Sequence, residues 1–92
     1  MLNIKYLRIA PEIEGVDCLY IEDELYMHGD EYHDCIDARI NGFLEGLQYA
    51  GIEYEFESWA VSHTEPVAGA LGANPAKRFS SISPEILKLY ED

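Results

Sequence analysis

Glu53, Glu55 and Glu57 alternate with Ile52, Tyr54 and Phe56. A period of two is that of a β-strand, so the three carboxylates project from one face at intervals of about 6.7 Å. Asp30, Asp34, Asp37 and Glu45 recur at spacings that set them on one side of a helix. Like charges this close repel, and the fold gains nothing from them beyond the attraction of first-turn acids to a helix N-terminus. The chemistry open to such rows is a meeting with a basic surface, such as a nucleic-acid-binding protein presents. There carboxylates stand in for the phosphate backbone and speed encounter. The plainer alternative is a solvated acidic face that keeps the domain soluble.

Other residue types with chemical potential are poorly arranged. His28, His33 and Cys35 are zinc-type ligands, but His33 and Cys35 sit about 200° apart on a helix, and no second Cys or His pair completes a tetrahedron. The run Glu22-Asp23-Glu24 lacks the alternating Asp/Asn and central Gly of a calcium loop. Gly69-Ala70-Leu71-Gly72 followed by Pro75 and Lys77-Arg78 fails the phosphate-loop pattern, because no Gly-Lys-Ser follows and Pro75 removes an amide donor. No glycine-flanked elbow presents a serine nucleophile. We therefore expect no catalytic residues, no cofactor and no metal.

The chain has 92 residues, 48% of them hydrophobic, enough for one core and one domain spanning 1–92. Its 18 Asp and Glu against 6 Lys and Arg give a net charge of -12, which disfavours direct binding to DNA or RNA. Between residues 12 and 57 stand 14 carboxylates and a single cation, Arg39. No apolar run approaches the roughly 20 residues that cross a bilayer, and anionic headgroups repel an acidic surface, so a membrane role is not expected. Without a leading basic segment before an apolar run, Cys18 and Cys35 are expected as two buried thiols in a reducing cytoplasm.

The elements that position these residues read as follows. Leu2 to Ile9 and Val16 to Ile21 are strands, the second ending in one irregular hairpin partner around Leu25-Tyr26-Met27. Asp30 caps a helix over 31–50, with Gly51 just past its end. Ile36, Ile40, Phe43 and Leu47 form its core stripe, while Ala38, Gly42, Gly46 and Ala50 form a small-residue flank expected to approach another backbone closely. Ile52 onward is a strand that brings Tyr54 and Phe56 into the core. Its apolar parity shifts at Trp59 and Val61, through a bulge near Ser58 or at an end covered on both faces. Residues 62–76 read as a long loop, 78–82 as an edge strand, and Ser83-Pro84-Glu85 as the start of a short C-terminal helix. The expected fold is α+β: a small antiparallel sheet of three or four strands packed against one amphipathic helix.

The opening Met1-Leu2-Asn3-Ile4-Lys5-Tyr6-Leu7-Arg8, the acidic helix from His28 to Ala50 and the Ser83-Pro84-Glu85 ending resemble the small phage-encoded anti-CRISPR proteins, in particular the inhibitors of type I-F systems. The resemblance implies a non-enzymatic inhibitor in the cytoplasm of an infected bacterium. Its partners would be protein subunits of a crRNA-guided surveillance complex, which it would keep from target DNA. No family residues carry over, so the expected contacts are the acidic positions themselves: Asp30, Asp34, Asp37, Glu45, Glu53, Glu55 and Glu57. The rival classes are an acidic interaction module, homodimeric through the small-residue flank, and a small metal-dependent hydrolase.

Overall fold

The computed structural model describes residues 1–9, 15–61 and 67–89. The fold is α+β, built on a five-stranded sheet. In chain order the elements are β1 (Leu2–Ile9), β2 (Val16–Ile21), β3 (Glu24–Asp30), α1 (Glu31–Asp34), α2 (Ile36–Tyr49), β4 (Tyr54–Val61), α3 (Val67–Ala73) and β5 (Leu87–Leu89). The strand order is β3-β2-β1-β4-β5. β1 pairs antiparallel with β2 and parallel with β4, so the sheet is mixed, where an antiparallel sheet of three or four strands was expected.

A central strand covered on both faces needs apolar residues on both, and β1 supplies them although Asn3, Lys5 and Arg8 interrupt the run. Its Ile4 and Tyr6 join Leu19, Ile36 and Ile40 in a cluster beneath α2. Its Leu7 and Ile9 join Cys18, Tyr20, Val61, Phe79 and Ile82 on the opposite face. There the covers are Leu71 of α3, Ala76, Ile86 and Leu87. The expected stripe is therefore half right: Ile36 and Ile40 are buried, Phe43, Leu47 and Tyr54 half-buried, and Phe56 is 41% exposed. α2 lies over β2 and β3, with Phe43 against Tyr26, and reaches β1 through the packing of Ile36 and Ile40 on Ile4 and Tyr6, which leaves Phe56 of β4 partly exposed.

The expected 31–50 helix is two helices. Asp30 Oδ1 accepts from the His33 backbone N–H at 2.6 Å, capping α1 as expected. Cys35 then takes φ 50°, a left-handed conformation that breaks an α-helix of L-residues. The Cys35 side chain does not cap α2; Glu31 Oε2 does so from outside, accepting from Asp37 N at 3.0 Å. α2 ends in a Schellman motif, with Gly51 at φ 74° and bonds from Gly51 N to Gln48 O and from Ile52 N to Leu47 O.

Other expectations are corrected. The irregular hairpin partner is present as β3, antiparallel to β2 with a register shift between Leu19 and Tyr20, but it is longer than expected at seven residues and is joined to β2 by Glu22 and Asp23, both at positive φ as in a type I′ hairpin. The register of β1 with β4 runs unbroken through Ser58. The parity shift at Trp59 marks the end covered on both faces, not a bulge. Of the 62–76 loop, 62–66 lie outside the described residues and Val67–Ala73 are helical. Phe79–Ser81 form a 3-10 turn in place of an edge strand, leaving one bridge, Arg78 to Glu24. Pro84–Ile86 form a second 3-10 turn and lead into β5 in place of a C-terminal helix. Gly42 and Gly46 are exposed, and a Cβ at either meets nothing within 4 Å, so no close approach to the sheet explains them. Cys18 is buried as expected, but Cys35 is exposed; both are free.

Candidate functional site

The strand that carries the glutamates is only half enclosed. β4 pairs with β1 from Tyr54 to Ala60, but β5 reaches only Trp59, Ala60 and Val61. Glu53 O accepts from Leu2 N at 3.2 Å. In a parallel pair, alternate residues turn both backbone groups to the same neighbour, so Glu53, Glu55 and Glu57 bond β1 while Tyr54, Phe56 and Ser58 turn theirs outward. Among the described residues, no strand meets the outward groups of Tyr54 and Phe56.

The side chains of this segment divide by parity. Tyr54 and Phe56 lie on the α2 side, where the Tyr6 and Phe56 rings meet edge-on at 6.1 Å and Gln48 Nε2 donates to Tyr54 Oη at 3.0 Å. Glu55 and Glu57 lie on the other side, with Trp59 and Val61 beyond them. Glu57 Oε1 pairs with Lys5 Nζ at 2.8 Å, which holds the Glu57 carboxyl below the usual carboxylate range. Lys5 in turn stands 5.6 Å over the Phe79 ring. Glu53 and Glu55 are exposed, and among the described residues neither has a cationic partner.

The helix set is spent differently. Besides capping α1, Asp30 binds His33 Nδ1 at 3.1 Å, and its bonds to His33 hold its carboxyl low. Asp34 Oδ2 accepts from Asp30 N at 2.9 Å and packs so closely on Gly29 that a Cβ there would fall 2.6 Å from it. Asp37 accepts from Tyr6 Oη at 2.8 Å. Only Glu45 stands exposed on α2 without such a bond among the described residues. The break at Cys35 also separates Asp30 and Asp34 from the axis that carries Asp37 and Glu45, so the four do not form one face.

Sequence reasoning missed a polar node. Tyr6 Oη reaches Asp17 Oδ2 at 2.5 Å as well as Asp37, joining β1, β2 and the start of α2. Burial raises the Asp17 carboxyl, and Asp37 adds to the rise, while the Tyr6 hydroxyl and the Arg8 guanidinium oppose it. Burial and both aspartates keep the Tyr6 phenol far above its usual range, so it stays a neutral donor. Beside the node a cleft of about 280 Å³ opens between α2 and β4, lined in part by Arg8, Asn41, Leu44 and Phe56. The available signal was Asp17 itself, an acid within a strand whose neighbours are apolar.

Little else has the form of a reactive centre. Burial pushes the Cys18 thiol up to about 12, which leaves it protonated and inert at neutral pH. Among the described residues, no three His, Cys, Asp or Glu converge to hold a metal ion, and no helix is long and apolar enough to cross a membrane. The chain matches no protein-family profile, no curated protein and no solved structure.

Proposed function

We propose that this protein is a non-enzymatic inhibitor that binds a crRNA-guided surveillance complex of the type I-F class and keeps target DNA from it. It would do so by setting carboxylates against the basic surface where DNA docks. The observation that carries this is the exposed carboxylate row at the uncovered start of β4, Glu53 and Glu55 with Glu57 beside them. A net charge of -12 supports fast, salt-sensitive encounter with such a surface. The identity of the partner rests on the whole-chain resemblance. No turnover is involved, and inhibition saturates at a fixed ratio of inhibitor to complex.

The test is binding of target duplex by the purified complex with increasing protein, at several salt concentrations. Parent protein should abolish DNA binding, with association slowing as salt rises, because exposed charges are screened over about 8 Å at physiological ionic strength. E53K/E55K should stay folded and lose inhibition. Unaltered inhibition by that variant overturns the acidic contact. The helix set gives no clean counterpart, since Asp34 and Asp37 hold the fold together; E45K alone tests that side. A second reading is favoured by the exposure of Ala38, Gly42, Gly46 and Ala50 beside Tyr49, 97% exposed: an acidic module that pairs through this flank. G46L would then break a dimer and leave the monomer folded.

A further inference from the structure

We infer that the edge of β4 at Tyr54 and Phe56, which no described strand covers, takes up an extended, basic segment of the partner as an added strand. The basic character of the partner rests on the function proposed above; the mode of attachment rests on the backbone. Tyr54 and Phe56 turn their N–H and C=O groups away from β1, and among the described residues no strand reaches them, since β5 pairs only with Trp59, Ala60 and Val61. A row of unpaired groups on a sheet edge is a template for another strand.

The side chains select what the template accepts. A strand added here lies about 4.8 Å from β4 and repeats its alternation. Its residues on one face then stand beside Glu53, Glu55 and Glu57, where lysine or arginine makes favourable cross-strand pairs. Its residues on the other face stand beside Phe56, 41% exposed, and the rim of the cleft at Leu44, where apolar side chains fit. The expected segment alternates basic and apolar residues. A second copy of this chain is a poor occupant, because antiparallel pairing of two β4 edges about a two-fold axis sets glutamate against glutamate. The chain's own Tyr90-Glu91-Asp92 is acidic as well and offers no cation to the row.

The test uses the full chain, isotope-labelled, with an eight-residue peptide of alternating lysine and valine, read by amide hydrogen exchange. Saturating peptide should slow exchange at Tyr54 and Phe56 by about tenfold or more, as for a newly formed hydrogen bond, and leave Glu55 and Glu57, already bonded to β1, unchanged. F56P removes an outward N–H without touching the β1 ladder, as proline is tolerated on an edge strand. It should weaken the peptide by roughly tenfold, while F56A, which keeps the N–H, should weaken it less. Unprotected Tyr54 and Phe56 amides at saturation overturn strand addition, as does equal binding by F56P and F56A. If F56P fails to fold, amide protection in the parent still decides. Peptide contacts confined to the carboxylates overturn strand addition and leave the inhibitor function standing. Amide protection without inhibition of the complex does the reverse.

Discussion

Replacing Tyr6 by Phe removes one oxygen from a residue that is 8% exposed and tests whether the polar node holds α2 to the sheet. The hydroxyl lies 2.5 Å from Asp17 and 2.8 Å from Asp37, yet a phenol has one proton to donate, so only one strong bond is lost. A hydrogen bond to a charged group contributes about 1.5–3 kcal/mol. Asp37 is exposed and lines the cleft and Asp17 is only half-buried, so both can recover water, and the expected loss is at the low end, about 1.5 kcal/mol. For a domain of this size that lowers the melting temperature by roughly 6–12 °C. Urea unfolding followed by the fluorescence of Trp59 measures the loss directly. A double-mutant cycle with Asp37→Asn then separates the α2 contact from the Asp17 contact. A loss below about 0.5 kcal/mol, the level of an ordinary surface substitution, would refute the structural role of the node. Additivity of Y6F and D37N would show that the Asp37 bond contributes nothing and that α2 is held to the sheet by its apolar contacts.

Three further outcomes follow from burial and charge. Ile40→Ala, at a fully buried position, should cost about 3 kcal/mol and the half-buried Leu47→Ala about half as much, measured by denaturant unfolding; equal losses would misplace the core. Gly42→Ala and Gly46→Ala meet open space and should each stabilise by about 1 kcal/mol, and a loss in either would mean that the flank is covered. Asp17 has a raised carboxyl pKa in the folded state, so its contribution favours folding below the ordinary carboxylate range and is lost as pH rises through its folded value. D17N should therefore gain stability relative to the parent as pH rises from about 3 to 7, whereas a difference that shrinks over that range would reverse the sign assigned to burial.

What the sequence made legible was local. The Asp30 cap and the Gly51 terminus depend on a side chain and a conformation that those residue types supply by themselves, and both appear where the spacing places them. Ile36 and Ile40 followed from periodicity. What stayed hidden depends on contacts remote in the chain. Ser83-Pro84-Glu85 opens a 3-10 turn as readily as an α-helix, and Leu87–Leu89 become a strand because Ala60 offers an edge beside them, a tertiary choice that outweighs local preference. Val67–Ala73 show no apolar period, and the contacts described for them are Leu71 packed on the core and Gly72 close to Ile9 and Val16. Phe56 follows the alternation faithfully and still lies outside the core, because no property of β4 states how far α2 reaches across the sheet. The edge at the start of β4 was invisible for the same reason: Glu53, Glu55 and Glu57 were readable as a row, but the outward backbone groups between them, which no described strand meets, belong to the arrangement of β1, β4 and β5.

That arrangement gives the surplus charge a role that solubility does not. A small domain is kept soluble by a net charge of magnitude about 2–8, and a larger surplus destabilises the compact state through self-repulsion. Asp23, Asp30 and Glu57 offset part of this cost by binding Ser80, His33 and Lys5, and each is held below its ordinary pKa by that bond. Glu53 and Glu55 have no such return within the described fold. They stand at and just before the start of β4, whose outward edge no strand covers among the described residues, and where an uncharged edge would invite pairing with another copy of the chain. The same two carboxylates that repel a second copy attract a basic strand, so a single feature supplies both rejection of the wrong partner and attraction of the right one. Neutralising them with E53Q/E55Q should therefore move two observables in opposite directions, self-association upward and capture of the lysine–valine peptide downward. A fall in peptide capture with no rise in self-association would leave the charges as partner contacts and remove their protective role.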